Sequence, residues 1–205
     1  MTAYQTDWHK LDRDRTTAMI DSVKSAGDHI LFSHTTSEAK CARLPFYRNL
    51  LLYRLTNYAS LPSFSFDYLG DGTTYFHLDG SPTAIYHAND TFQMNLNEDT
   101  VLDYAVFFFN HVSGPDGDIY VIGDLEDHPA LDSLTLTQMD DLVARFQQPE
   151  IMTKPQGGFT VKTILFYLGS LVYATVDIAA NGRVDVTDFQ MLMNANMTSD
   201  VGATA

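Results

Sequence analysis

The stretch from residue 159 to residue 187 constrains the fold most, because glycine and asparagine separate three runs of strand-forming residues. A two-residue turn at Gly169 and Ser170 is predicted to be type II′, since glycine tolerates the positive φ of the first turn position. This turn places Leu165 opposite Ala174 and gathers apolar side chains on one face. The pattern therefore predicts a pair of antiparallel strands.

Charge and the next turn support a third strand in the same stretch. The register just described places Lys162 opposite Asp177, so the charge pairing agrees with the apolar pattern. For the second turn, a three-residue loop over 180–182 with its glycine left-handed sets Ile178 opposite Val184. A two-residue loop would break the apolar face, so the longer loop is favoured.

Length and composition bound the architecture. The chain has 205 residues, of which 45% are hydrophobic, and this suffices for one sizeable core. We predict a single domain over 1–193 and a disordered tail over 194–205. A single cysteine excludes an internal disulfide, the first residues lack the build of a signal peptide, and no apolar run reaches the roughly 18 residues of a membrane span. These observations predict a soluble, cytoplasmic protein.

The formal net charge is −14, and its distribution restricts the partners. The stretch 55–144 contains fifteen acidic residues and no lysine or arginine, which predicts no binding of nucleic acid. By contrast, the stretch 39–66 contains basic residues and no acids. It is either an anion or carboxylate site or a set of solvated charges that pair with the acidic surface. The ligand-binding candidates are Arg48, Arg54 and Tyr75.

Apolar residues at helical spacing predict three helices. The first covers 15–26, and the second covers 101–112 after an N-cap at Asn97. The third begins at Thr135, which forms a capping box with Gln138.

Alternating apolar and polar residues predict a meander in the first half of the chain. A three-residue loop with Gly72 left-handed pairs Phe66 with Phe76. The strands of this meander are predicted at 64–68, 74–78 and 84–88. The other segments are interpreted as a strand over 29–34, a helical turn or loop over 35–42, a strand rather than a helix over 47–58, a central strand over 118–123, and a short helix or strand over 189–193.

Together these elements predict an α+β fold in one domain. We expect a strongly twisted antiparallel sheet of about seven or eight strands, open or rolled into a partial barrel, with two or three helices packed against it. The meander and the C-terminal hairpins form either one sheet or two facing sheets, and the sequence does not decide between them.

Histidine and aspartate residues supply the catalytic candidates. If the meander pairs as predicted, His77 and His87 both lie on the face opposite Phe76, with Asp67 near them. Such a cluster suits acid–base chemistry or a metal. Exposed polar residues on the solvent side of a sheet explain the same pattern.

The run from Asp177 to Asp188 resembles the calcium loop of EF-hand and dockerin proteins. The residues that match the acid or amide positions are Asp177, Asn181, Asp185 and Asp188, with Gly182 at the turn. Ala179 stands at a ligand position and cannot bind calcium. The resemblance implies a calcium-dependent interaction module, whereas a simple hairpin turn is the alternative.

One cysteine and many aromatic residues complete the candidates. Lys40 and Arg43 flank Cys41 and would lower the pKa of its thiol, but no motif supplies a base or an oxyanion site.

The successive phenylalanines at 107–109 cannot face one way on a helix, so at least one of them reaches a second contact surface.

The composition and motifs favour a non-enzymatic module without a cofactor, which binds a partner protein or a small apolar ligand and forms a homodimer. An enzyme with a site around His77 and His87 is the first alternative, and a calcium-dependent module is the second. A membrane partner is not expected.

Overall fold

A computed structural model describes residues 6–25, 31–114, 116–125, 131–132 and 134–194 of the chain. Within these residues the fold is α+β, with four helices and two antiparallel five-stranded sheets, neither of them closed. The elements are β1 (His9–Lys10), α1 (Arg13–Ser25), β2 (Ser37–Arg43), β3 (Leu51–Asn57), β4 (Phe64–Gly70), β5 (Tyr75–His77), α2 (Thr83–Thr91), α3 (Val101–His111), β6 (Ile119–Ile122), α4 (Leu136–Arg145), β7 (Glu150–Thr153), β8 (Phe159–Tyr167), β9 (Ser170–Ile178) and β10 (Val184–Asn194).

The prediction of one sheet with about seven or eight strands is wrong, because the strands divide into two sheets of five. Two compact units account for this division: an N-terminal unit with the described residues up to 100, and a C-terminal unit with those from 101 onward. The expectation of a single domain stays a prediction, and residues 195–205 of the predicted tail lie outside the described residues.

In the N-terminal unit the strands follow the order β1-β2-β3-β4-β5. Helix α1 buries Met19, Ile20 and Val23, at the spacing that puts them on one face, against Leu55 and Tyr68 of the sheet. Strand β3 confirms the strand predicted over 47–58 for residues 51–57. The interpretation of 35–42 as a helical turn or loop is wrong for residues 37–42, which belong to β2. No strand is present at 31–34, and residues 29–30 lie outside the described part.

The turn between β4 and β5 is longer than predicted. Gly72 is left-handed as expected, with φ of 94°. However, the Oδ1 atom of Asp71 accepts hydrogen bonds from the backbone N–H groups of residues 73 and 74, each 2.8 Å long, and this widens the loop to residues 71–74. Phe76 consequently pairs with Leu69, and the predicted pairing with Phe66 is wrong.

The predicted third strand of the meander, 84–88, is also wrong, because these residues belong to helix α2. Pro82 stands immediately before the first turn of the helix with φ of −73°, a helical value that the proline ring fixes. Ile85 and Ala88, three residues apart, form the buried side of the helix.

In the C-terminal unit, β8 is the central strand. One edge of β8 pairs with β9, which in turn pairs with β10, and the other edge pairs with β6 and β7. Strand β6 confirms a strand within 118–123, but it ends the strand order, so the central position predicted for it is wrong. Helix α3 confirms the helix predicted over 101–112, and its residues Phe107, Phe108 and Phe109 are all buried. Helix α4 confirms the capping box of Thr135 and Gln138.

Of the predictions for the two hairpin turns of the C-terminal unit, one is wrong and one is confirmed. The turn between β8 and β9 is formed by Leu168 and Gly169, with φ of 51° and 70°, so that Leu165 pairs with Val172 and the predicted pairing with Ala174 is wrong. The loop between β9 and β10 confirms the prediction. Its glycine has φ of 76°, and Ile178 pairs with Val184.

Candidate functional site

The most distinctive surface in the C-terminal unit belongs to β10, the last strand of its sheet. Phe189 and Met191 are 70% and 61% exposed, although both are large apolar side chains. Among the residues that the structure describes, only those of β9 pair with β10, and none hydrogen-bonds to its outer edge between Asp185 and Met193. A long apolar edge strand with an unpaired backbone is a template for another strand.

An apolar groove lies beside this strand. Its volume is about 440 Å³, within the range of small-molecule sites. Buried Leu165 and Val172 form the floor, and the exposed side chains of Leu168, Phe189 and Met191 rise beside it. The complete lining is Ile119, Leu165, Tyr167, Leu168, Ser170, Val172, Val186, Phe189 and Met191, none of which carries a charge. We call the sheet face that carries the groove the groove face.

A β-bulge gives β10 its apolar side. The apolar positions change from even numbers, Val184 and Val186, to odd numbers, Phe189 and Met191, which a regular strand cannot place on one face. The structure inserts Thr187 as an extra residue, since Val186 pairs with Val176 and the next paired residue is Asp188. The groove was not predicted from the sequence. The change of the apolar positions from even to odd residue numbers is the sequence feature that could have indicated it.

The opposite side of the same strand is acidic. Asp185 and Asp188 pair in register with Asp177 and Thr175 and are exposed. Among the described residues neither of them has a cationic partner. The lysines nearby are already engaged: Lys154 Nζ lies 2.6 Å from Asp177 Oδ1, and Lys162 Nζ lies 3.2 Å from a carboxylate oxygen of the residue opposite it on β7. We call this side of the sheet the acidic face.

The contacts of Asp177 predict a pH-dependent stability. Hydrogen bonds from Lys154 and from Thr160 Oγ1 lower the pKa of Asp177, and the bond from Lys154 has the larger effect. A depressed carboxyl pKa stabilises the fold above the unfolded value of about 4, and this contribution is lost as the pH falls through the folded pKa. We expect Asp177→Asn to lower the free energy of unfolding at neutral pH by about 1 kcal/mol, with the difference from the parent protein vanishing at low pH.

Urea unfolding of both proteins across the acid range measures this difference. Asp188→Asn is the matched control, since Asp188 is an exposed carboxylate of the same sheet without a cationic partner in the described part of the chain. A difference for Asp177→Asn that persists unchanged at low pH would contradict the assignment of its stabilising role to the ionised carboxylate.

The structure separates the catalytic candidates. The ring of His77 stacks on Phe66 at 4.8 Å between centroids, whereas His87 lies on α2 with its ring 5.2 Å from Phe76. Because neighbouring strand residues point to opposite faces, the two histidines contact opposite faces of β5, and the predicted common face is wrong. Asp67 is held by two hydrogen bonds of 2.7 Å from Arg54.

The ligand-binding candidates are also apart. The guanidinium of Arg54 is paired with a carboxylate and lies 4.9 Å from the ring centroid of Trp8, and Arg48 is exposed before β3. Tyr75 lies on the face opposite Arg54, and its hydroxyl donates to the carbonyl of Gly72. Burial raises the pKa of Tyr75, so this phenol is a poor acid–base group near neutral pH.

The run that resembles a calcium loop is a hairpin between β9 and β10. Asp177 is engaged with Lys154, Asn181 Oδ1 accepts a hydrogen bond from the backbone of Arg183, and strands rather than helices flank the loop. Asp185 and Asp188, the remaining candidates, stand on the acidic face of β10. In the described part of the chain, no three histidine, cysteine, aspartate or glutamate side chains are grouped so that they could hold a metal ion.

Cys41 does not have the environment that its basic neighbours suggested. Burial raises the pKa of its thiol, and the opposing effect of Arg15 is smaller. The prediction that Lys40 and Arg43 lower this pKa is therefore wrong. A raised pKa leaves little thiolate at neutral pH, which disfavours a nucleophilic role.

Comparison of the chain with protein-family models, with curated proteins and with solved structures finds no match. None of the described helices has the length and apolar character needed to cross a membrane.

Proposed function

We propose that the C-terminal unit is a binding module in which β10 and the groove beside it take an extended segment of a partner protein. The observation that carries the proposal is that β10 combines an uncharged groove with an edge that no strand of the described part of the chain pairs with. An added strand satisfies the backbone of the edge, and its alternate side chains lie on the groove face against Phe189 and Met191, which form the near wall of the groove.

The exposure of the groove walls supports a peptide as the occupant. Phe189 and Met191 are more than half exposed, so a segment lying across them buries apolar surface that water now contacts. Main-chain hydrogen bonds to the edge supply affinity that depends little on sequence, and the groove supplies the selection of apolar side chains.

The test uses a short capped peptide that alternates valine with threonine as a neutral, strand-forming probe. We expect binding to weaken at least about tenfold when Phe189 and Met191 are both replaced by alanine, because each side chain loses apolar contact. The matched control is Leu136→Ala, which removes an apolar side chain of α4 that is 87% exposed. Fluorescence anisotropy measures affinity, and amide hydrogen exchange reports whether residues 185–193 become protected.

Equal binding by the double variant and the parent protein would overturn the proposal, as would binding without protection of the β10 amides. A protein that elutes as a dimer through β10 and does not bind the peptide would identify a second copy as the occupant instead.

A small apolar ligand is the second candidate, and the groove volume of about 440 Å³ favours it. The uncharged dye Nile red is a suitable probe, since its fluorescence rises in apolar surroundings. A ligand of this kind fills the groove without pairing with the strand edge. Strong dye binding with unprotected β10 amides, together with failure of the peptide, would favour this candidate.

A further inference from the structure

The two sides of β10 differ in chemistry, and the difference restricts the sequence of an added strand. Side chains of an extended segment alternate between the two faces of a sheet. On the groove face they meet Phe189 and Met191, and on the acidic face they meet Asp185 and Asp188. Every second side chain of a partner strand therefore contacts an apolar surface, and the side chains between them face negative charge.

Charge complementarity identifies what belongs at the intervening positions. The carboxylates of Asp185 and Asp188 have no cationic partner among the residues that the structure describes, whereas the neighbouring lysines are paired. The whole chain carries a formal net charge of −14, which adds to the attraction for cations and disfavours an acidic partner. Opposite charges on neighbouring strands stabilise pairing, and like charges oppose it.

We propose that the partner segment alternates apolar side chains, which pack on the groove face against Phe189 and Met191, with lysine or arginine side chains, which lie over Asp185 and Asp188. This inference rests on the proposed function and adds the chemical class of the partner to it. The β10 strand of a second copy does not supply such a segment, because it carries acids rather than bases at these positions.

The experiment compares three capped peptides of equal length that alternate valine with lysine, with threonine or with glutamate. Isothermal titration calorimetry with the full chain measures each affinity at low and at physiological salt. We expect the lysine peptide to bind about tenfold more tightly than the threonine peptide at low salt, since two favourable cross-strand pairs are added. The advantage shrinks as salt screens the exposed charges.

Two variants separate the contributions of charge and groove. The double variant Asp185→Asn and Asp188→Asn removes the preference for lysine while binding of the threonine peptide is retained. The double variant Phe189→Ala and Met191→Ala keeps both carboxylates and weakens binding of all three peptides. If the lysine peptide binds this second variant as tightly as the parent protein, the attraction is non-specific and the inference is overturned.

The outcomes distinguish this inference from the function on which it rests. Equal affinities for the lysine, threonine and glutamate peptides, with protected β10 amides, would overturn the charge preference and leave strand binding intact. Failure of all three peptides to bind would overturn both. Tighter binding of the glutamate peptide would contradict the charge assignment alone.

Discussion

Replacing Gly158 with alanine is expected to lower the free energy of unfolding by about 4 kcal/mol, from left-handed strain and overpacking together. The residue has φ of 84°, and an added Cβ would lie 2.3 Å from the carbonyl oxygen of Ile178 and 3.0 Å from the backbone of Ala179. Both neighbours are backbone atoms of the hairpin opposite, so no side chain can rotate away. Relief of the overlap requires β8 to separate from β9 at the register pair of Phe159 and Ile178.

Gly157 provides a matched control for this effect. It also has positive φ, 88°, but the nearest atom to an added Cβ is the side-chain Cβ of Ala180 at 3.5 Å, an ordinary contact. Gly157→Ala should therefore lower the free energy of unfolding by only about 1 kcal/mol, from backbone strain alone. Urea denaturation of both variants measures the difference. Equal losses for the two variants would show that strain, and not the close approach to Ile178, sets the requirement for glycine.

Replacing Leu55 with alanine is expected to lower the free energy of unfolding by about 3 kcal/mol, the usual range for a buried leucine. Leu55 is fully buried in the N-terminal unit, between Ala39 and Phe66 on the neighbouring strands and in the cluster that includes Met19 and Ile20 of α1. Ala39 is too small to fill the space that the substitution leaves, so a cavity persists beneath the helix.

Leu61→Ala is the control for the same chemical change in the same unit. Leu61 is 99% exposed, so its truncation should alter the free energy of unfolding by less than about 0.5 kcal/mol. Thermal and urea unfolding of both variants, followed by circular dichroism, tests the contrast. A loss for Leu55→Ala no larger than that for Leu61→Ala would contradict the placement of β3 beneath α1.

Turn chemistry explains which hairpins could be predicted from the sequence. The loop between β9 and β10 was predicted in full, because only a three-residue loop with Gly182 left-handed keeps Ile178 and Val184 on one face. The register between β8 and β9 was missed by two residues. A shift of two leaves every side chain on its face, so the apolar pattern cannot detect it. The left-handed conformation of Leu168 sets this register, and it cannot be predicted from the sequence because leucine rarely adopts it.

Other errors arose where a local interaction overrides the apolar pattern. Asp71 lengthens the turn after β4 through hydrogen bonds from its own loop, and this shifts the register by an odd number of residues. The pattern had placed Phe66 and Phe76 together, whereas His77 is the residue that shares a face with Phe66. Strand β2 was missed because its sequence, SEAKCAR, has no β-branched or aromatic residue.

The candidate site was hidden from the sequence for a related reason. The candidate histidine and aspartate residues can be picked out in the sequence. The sheet face on which each one lies depends on strand registers that were predicted incorrectly. The groove depends on the extra residue Thr187, and a bulge is not detected by counting alternation across it. The exposure of Phe189 and Met191 follows from the position of β10 at the end of the sheet, which the sequence does not give.

The bulges of β10 also limit how far a neighbouring strand can follow it. Register shifts occur between Val186 and Asp188 and between Met191 and Met193, so that the regular ladder between them spans only residues 188–191. Each bulge bends and twists the strand, and a straight, fibril-like stack of copies cannot stay in contact along such an edge. The bulge that places Phe189 on the groove face therefore also disfavours extended stacking of copies along β10, while a short segment can still pair with residues 188–191.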